Sequence, residues 1–575
     1  MSFDLPLRPL VNACLAFACA AAQAASQAPV AAENGMVVTA QHLSTQVGVA
    51  VLRAGGNAVD AAVAVGYALA VVYPAAGNLG GGGFMTIQFA DGRKTFLDFR
   101  EKAPLAATPD MYLDPQGNVI KGASTQGHLA VAVPGSVSGL ELALAKFGTM
   151  KRAALIAPAI RYAQEGYVLD QGDVDMYTAS AVAGLKQDPT SAAIFLHQGA
   201  APQAGQRLVQ KDLAATLRQI SEQGVAGFYQ GPVAAAIVAS SKAGKGLITQ
   251  ADLDRYQPRE FKPVECNYRG YGIVSAPPPS SGGVVICEIL NILEGYPLKA
   301  LGFRSAQAVH VQIEAMRHAY VDRNSYLGDP DYVSNPMERL LDKGYAAQIR
   351  AAIDPAKATL SQSLKPGVAP HEGSNTTHYS IADRWGNAVS VTYTLNEWFG
   401  ARVTAAGTGV LLNDEMDDFT AKLGVPNLYG LVQGQANAIA PGKRPLSSMS
   451  PTIVTKDGKP VLVLGTPGGS RIITAVLHTI LNLIDYGMNV QEAVDAPRFH
   501  QQWLPDLTNV EDYALSPDTR KILEAMGHKL GPPQPANHLA AILVGAPTLG
   551  GAAVGKNRYF GAIDPRRNTG LALGY

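Results

Sequence analysis

The chain holds 575 residues, with 46 Lys+Arg against 46 Asp+Glu, a hydrophobic share of 47% and a charged share of only 16%. A net charge of zero with no long Lys/Arg run leaves no electrostatic footprint for nucleic acid, and the high apolar content excludes a disordered chain. The length allows several domains or one large α/β unit with a sizeable core.

At the N-terminus, Arg8 precedes an apolar run over 10–22, which ends in the small-x-small sequence Ala22-Gln23-Ala24. That order reads as a secretory signal peptide over 1–24, too short to remain in a bilayer. No later stretch reaches about 18 uninterrupted apolar residues, so no membrane span is expected. Export to the periplasm or medium implies an oxidising compartment. Cys14 and Cys19 leave with the signal, whereas Cys266 and Cys287 remain. The sequence is compatible with a disulfide between them or with two buried thiols.

Residues 25–35 read as a loose tail. Apolar spacing over 44–52 predicts a helix ending at Gly55-Gly56. Asn57 then caps a second helix over 58–72, apolar nearly all round and therefore buried. Gly80–Gly83 leads into a strand ending at Phe89, and the Asp91-Gly92 turn gives a second strand over 95–99, stopping at Arg100. No Gly-Lys-Ser/Thr follows that glycine run, which reads as tight strand–helix packing and not as a phosphate loop. From 105 to 350 the pattern is mainly helical, including 306–326, with a rigid loop over 276–283. His310, Glu314 and His318 share one face of that helix. Strung over about 12 Å they do not converge on one ion, so no metal is expected. Residues 355–375 are Ser/Pro/Gly-rich and read as a linker. Strands are expected at 376–382, 388–395, 452–455 and 460–464, then helices at 471–486 and 516–526, the last capped by Ser516. Strand pairs bracketed by helices argue for sheet with helices packed on it.

The hairpin after the linker carries the chemistry. A turn at Asp383–Asn387 with Ala382 opposite Ala388 places Thr376 opposite Thr394 and Ser380 opposite Ser390. Thr376, His378, Ser390, Thr394 and Asn396 then share a face, with opposed Cβ atoms roughly 4.5–5.5 Å apart. A threonine hydroxyl attacks carbonyl carbon only with a base beside it, and the freed α-amino group of an N-terminal threonine is one such base. That requires a cut between Asn375 and Thr376, where an unstructured linker loses least by being opened. On these residues alone, a threonine pair that merely stabilises the sheet is the simpler reading.

Motifs along the chain add weight to the first reading. They include Gly55-Gly-Asn-Ala-Val-Asp-Ala-Ala-Val63, Gly77-Asn-Leu-Gly-Gly-Gly-Gly-Phe84, Asp98-Phe-Arg-Glu101, Pro278-Pro-Ser-Ser-Gly-Gly283 and Arg317-His-Ala-Tyr320. Further on come Thr376-Thr-His-Tyr-Ser380, Thr392-Tyr-Thr-Leu-Asn396, Asn413-Asp-Glu-Met-Asp-Asp-Phe419, Pro445-Leu-Ser-Ser-Met-Ser-Pro-Thr452 and Gly465-Thr-Pro-Gly-Gly-Ser-Arg471. Jointly, and in this order, they resemble the γ-glutamyltranspeptidase family.

The resemblance implies an α/β protein of the N-terminal-nucleophile hydrolase fold, a four-layer αββα sandwich. It implies self-cleavage at Asn375-Thr376 into a large subunit (25–375) and a small one (376–575). Thr376 would be the nucleophile, Thr394 would position it, and Gly468 and Gly469 would form the oxyanion hole. Arg100, Ser447 and Ser448 would hold the α-carboxylate of the substrate. Asn396, Glu415 and Asp418 would receive its α-ammonium, and residues 423–433 with Tyr429 would form a lid. The implied donors are glutathione and related γ-glutamyl compounds, the acceptors water, amino acids or dipeptides, with no cofactor. Two other readings stay open: a glutaryl-cephalosporin type of β-lactam acylase, and an unprocessed amino-acid-binding periplasmic protein.

Overall fold

Two antiparallel sheets of seven strands lie face to face at the centre of the computed structural model, which describes residues 26–364, 376–532 and 537–575. The signal peptide expected at 1–24 and Asn375 lie outside the described residues. The first sheet runs Leu571–Gly574, Met36–Thr39, Thr377–Ala382, Ala388–Thr394, Gly82–Gln88, Lys94–Phe99 and Arg259–Phe261. The second runs Val30–Ala32, Tyr559–Ile563, Ala540–Val544, Lys459–Gly465, Thr452–Lys456, Tyr271–Ser275 and Val264–Tyr268.

Strand alternation decides which layer each side chain joins. In the first sheet Met85, Ile87, Tyr379, Ile381, Val389, Val391 and Tyr393 enter one core with helices Ala58–Val72, Ser136–Phe147 and Arg152–Glu165. Val38, Ala382 and Ala388 meet Ile453, Val463 and Ile542 of the second sheet in a core between the sheets. The far face of the second sheet, with Ile273, Leu462, Leu464 and Leu543, packs on helices Gly282–Leu293, Ala306–Tyr326 and Arg471–Ile484. The layers therefore read helix, sheet, sheet, helix, as expected.

The hairpin register is the one the sequence gives: Thr377 pairs with Tyr393, His378 with Thr392 and Ser380 with Ser390. Asp383 fixes its turn, accepting the N–H groups of Trp385 and Asn387 on Oδ1, each at 3.0 Å. Its Oδ2 accepts the N–H of Ala58 at 2.9 Å. The same carboxylate thus ties the hairpin to the positive end of the wholly buried helix Ala58–Val72. Between the sheets, His378 lies 2.8 Å from Thr392 Oγ1 and 3.0 Å from Ser380 Oγ. Ser380 donates to Ala540 O and Ser390 to Leu464 O, stitching one sheet to the other.

Several elements differ from expectation. The first helix spans His42–Arg53, and the helix expected to reach 486 ends at Ile484. Residues 361–364 of the expected linker form a helical turn, Ser361–Leu364. Strands such as Ala540–Val544 and Tyr271–Ser275 had no clear signature, because a strand buried between two apolar layers shows no apolar–polar alternation. Cys266 and Cys287 form a disulfide joining strand Val264–Tyr268 to helix Gly282–Leu293, which resolves the alternative left open by the sequence.

Candidate active site

Thr394 ends the second hairpin strand, and its Oγ1 lies 3.4 Å from Thr376 Oγ1. Asn396, two residues on, turns the backbone to φ +79°, an unusual region that Asn tolerates better than most residues. The turn brings the Asn396 N–H back onto Thr394 Oγ1 at 2.8 Å. That hydroxyl accepts from the backbone and is thereby set to donate toward Thr376. Asn78 holds the carbonyl of Thr394 at 2.9 Å. Beside it, Gly81 has no room for a side chain, since a Cβ there would stand 2.0 Å from Thr394 O. The glycine run therefore serves close approach to neighbouring strand backbone, and not the strand–helix packing expected from the sequence.

A small cavity opens in front of Thr376. Arg100, Thr394, Asn396, Glu415, Asp418, Tyr429, Ser447, Ser448 and Gly469 line it. Gly468 is the neighbour of Gly469 and lies just outside the lining. Both take positive φ, +135° and +56°, and a Cβ would meet the Asn537 amide at the first and the Tyr429 ring at the second. The carbonyls of Gly468 and Gly469 accept the N–H groups of Arg471 and Ile472, opening the buried helix Arg471–Ile484. The glycine turn therefore stands at a helix N-terminus, where the dipole favours negative charge.

The charged groups converge from three directions. Arg100 sits at the end of strand Lys94–Phe99, its N–H held by Asp98 Oδ1 at 2.9 Å. Asp98 in turn pairs with Arg259 at 2.7 Å, which accounts for the Asp-Phe-Arg-Glu motif. The Arg100 guanidinium reaches Glu415 through Nη1, Asp418 through Nη2 and Pro445 O through Nε at 3.2 Å. Burial works against its charge, but Glu415, Asp418 and Glu101 outweigh this and hold it protonated above its ordinary value. Burial raises the Glu415 carboxyl well above the usual range, although Arg100 pulls it down. Glu101, 3.7 Å from Arg100 Nη1, is pushed up to about 7 by burial, with Arg100 acting against the rise.

Ser447 and Ser448 are carried by a segment clamped to the loop at 278–283. Ser447 N donates to Pro279 O, and Ser281 N to Ser447 O, each at 2.8 Å. Ser447 Oγ accepts the Met449 N–H at 3.1 Å, and Ser448 Oγ accepts from Arg323 Nη2 at 2.9 Å. Tyr429 lines the cavity, its hydroxyl donating to the backbone and side-chain oxygens of Asn396. Gln433 Nε2 and Asn437 Nδ2 hold Asp418 O from the same segment.

Sequence reasoning missed Arg323. It lies one helical turn beyond Tyr320, whose hydroxyl donates to Ser470 O at 2.5 Å, so one face of helix Ala306–Tyr326 serves the site twice. The available signal was its place one turn beyond the Arg317-His-Ala-Tyr320 motif on the same helix. The cluster of possible metal ligands also differs from the one considered. His310 and Glu314 meet His528, not His318, with ligand atoms within 4.8 Å of one another. His310 is hydrogen-bonded to His528 at 2.8 Å and to Asp354 O at 2.8 Å.

Residues 44–573 match the Gamma-glutamyltranspeptidase family. A glutathione hydrolase proenzyme of Pseudomonas sp. (strain A14) is 74% identical over 552 residues, covering 96% of each chain. One of Escherichia coli (strain K12) is 50% identical over 548 residues, covering 95% of this chain and 93% of the relative. Among solved structures, a cephalosporin acylase from Bacillus halodurans superposes with a TM-score of 0.82 at 29% identity, covering 100% of this chain and 99% of the other. The chain belongs to the γ-glutamyltranspeptidase family and has its N-terminal-nucleophile hydrolase fold.

Proposed function

We propose that the protein is a γ-glutamyl hydrolase/transferase that matures by cleaving itself before Thr376 and carries the acyl group on that threonine. The observation that supports this most is the meeting, in one cavity, of the paired threonine hydroxyls, a glycine turn at a helix N-terminus and both signs of charge.

In the unbroken chain the Thr376 nitrogen is an amide and cannot take a proton. Once the bond to Asn375 is cut it becomes the base beside the hydroxyl. Thr376 Oγ1 attacks the γ-carbonyl carbon of the donor and its proton passes to the α-amine. The oxyanion forms against the N–H groups of Gly468 and Gly469, each such donor typically lowering the barrier by about 3 kcal/mol. The C–N bond breaks, the leaving amine takes the proton, and a γ-glutamyl ester remains on Thr376. With glutathione the leaving group is Cys-Gly. Water or the amine of an amino acid or dipeptide then attacks the ester and restores the hydroxyl. No cofactor enters these steps.

The head group is read by exchange of ion pairs. Arg100 pairs with Glu415 and Asp418 across the cavity. A zwitterionic head replaces those pairs with two of its own: α-carboxylate to Arg100, Ser447 and Ser448, and α-ammonium to Glu415, Asp418 and Asn396. A guanidinium suits the carboxylate because its fork is bidentate. A glutaryl group lacks the ammonium and would leave Glu415 and Asp418 competing with it for Arg100, so the acylase reading is disfavoured.

The subunits are 25–375 and 376–575, with export directed by 1–24. The Cys266–Cys287 disulfide accords with an oxidising compartment, and no helix among the described residues is long and apolar enough to cross a membrane. The test compares release of p-nitroaniline from γ-glutamyl-p-nitroanilide and from glutaryl-p-nitroanilide. Preference for the first is expected; preference for the second would replace this reading by the acylase.

A further inference from the structure

Two guanidinium groups line the cavity, and only one has carboxylate partners. Arg100 spends its donors on Glu415, Asp418 and Pro445 O. Arg323 is 1% exposed, and its side-chain hydrogen bonds all go to neutral groups. These are Ser281 Oγ at 2.9 Å, Asn324 Oδ1 at 2.7 Å, Gln433 Oε1 at 3.3 Å and Ser448 Oγ at 2.9 Å. Among the described residues it forms no ion pair. A buried cation with no carboxylate in contact is costly: burial pulls Arg323 down to about 10, with Tyr320 and the more distant Asp418 only partly opposing the fall. Such an arrangement is favourable once an anion enters the cavity.

The geometry also fixes what Ser448 does. A guanidinium only donates, so Ser448 Oγ is the acceptor in that bond and its own hydrogen is directed to another group. Ser447 Oγ likewise accepts the Met449 N–H, which leaves its hydrogen available to donate. Both hydroxyls therefore keep a hydrogen to donate, which suits a carboxylate. Through Gln433, Arg323 also touches the segment that carries Tyr429.

We propose that Arg323 is a positioning residue for the donor's α-carboxylate: it orients Ser448 as a hydrogen-bond donor and supplies the cavity's second positive charge. The proposal rests on the γ-glutamyl reading above and adds a determinant of donor selectivity.

The test measures mature wild type, Arg323→Met and Arg323→Lys with γ-glutamyl-p-nitroanilide and with 4-aminobutanoyl-p-nitroanilide. The second donor keeps the amine and acyl chain and lacks only the carboxylate. For Arg323→Met, loss of a charge-assisted contact predicts a KM for the γ-glutamyl donor raised about tenfold or more. Its kcat should change less than about threefold, and kcat/KM for the 4-aminobutanoyl donor should hold within about twofold. Arg323→Lys should recover part of the KM. Equal losses on both donors, or an unchanged KM, overturn the proposal. Should Arg323→Met remain uncut on a denaturing gel, Arg323→Lys is read by the same criterion. Failure of both variants to mature marks a purely structural arginine and also overturns it. Wild type that does not turn over the γ-glutamyl donor refutes the parent reading instead.

Discussion

In the proposed mechanism Thr376 and Thr394 divide the work that a single hydroxyl cannot do alone. Thr394, held by the Asn396 N–H and by Asn78 at its carbonyl, directs its hydrogen toward Thr376. Thr376 is the group able to form an ester. Thr376→Ala is therefore expected to leave one uncut, inactive chain, and Thr376→Ser to keep some of both cutting and turnover, as read on a gel and with γ-glutamyl-p-nitroanilide. A matured, active Thr376→Ala would remove the nucleophile from the account. At Arg100, replacement by Lys keeps the charge but loses the fork that spans Glu415 and Asp418. A KM raised about tenfold with a smaller change in kcat is expected; an unchanged KM would count against its role. Most of these residues could be read from sequence because they sit in motifs whose residue types are chemically particular. Arg323 was missed because its significance lies in having no carboxylate in contact, which only the fold shows.

Among the elements, the hairpin was readable in full. Its turn residues and the period of two fix the register, and one slip would have moved Thr376 off Thr394. The flanking strands Met36–Thr39 and Gly82–Gln88 come from distant sequence, and only the fold places them beside it. The inward face of the hairpin yields a pH prediction. Burial between the sheets pushes His378 from an ordinary 6.5 down to about 3. Between those values the unfolded chain binds the proton and the folded one does not. The stability owed to neutral His378 is present above pH 6.5 and is lost as pH falls toward 3, by up to about 1.4 kcal/mol per pH unit. His378→Asn lacks this loss. The Tm gap between parent and variant should therefore narrow from about pH 7.5 to about pH 5. A constant or widening gap would contradict a buried neutral imidazole.

For the whole molecule, the first sheet interleaves the two proposed subunits. Strands of 376–394 lie between strands of the large part, and Leu571–Gly574 pairs with Met36–Thr39. Every backbone ladder across that boundary survives a cut before Thr376. The mature fragments are thus expected to co-elute on native size exclusion and to part only in denaturant; separation without denaturant would contradict the shared sheet. The layer order followed from the family resemblance more than from periodicity, since strands buried on both faces carry no pattern of their own. The central claim, that the protein cuts its own chain to create its base, is tested most directly by a denaturing gel with N-terminal sequencing of the smaller band in active material. The account predicts a band of ~21 kDa, the share of residues 376–575 in the 60.2 kDa chain, beginning Thr-Thr-His-Tyr. Active protein that runs as one unbroken chain, or a small band with another first residue, would contradict it.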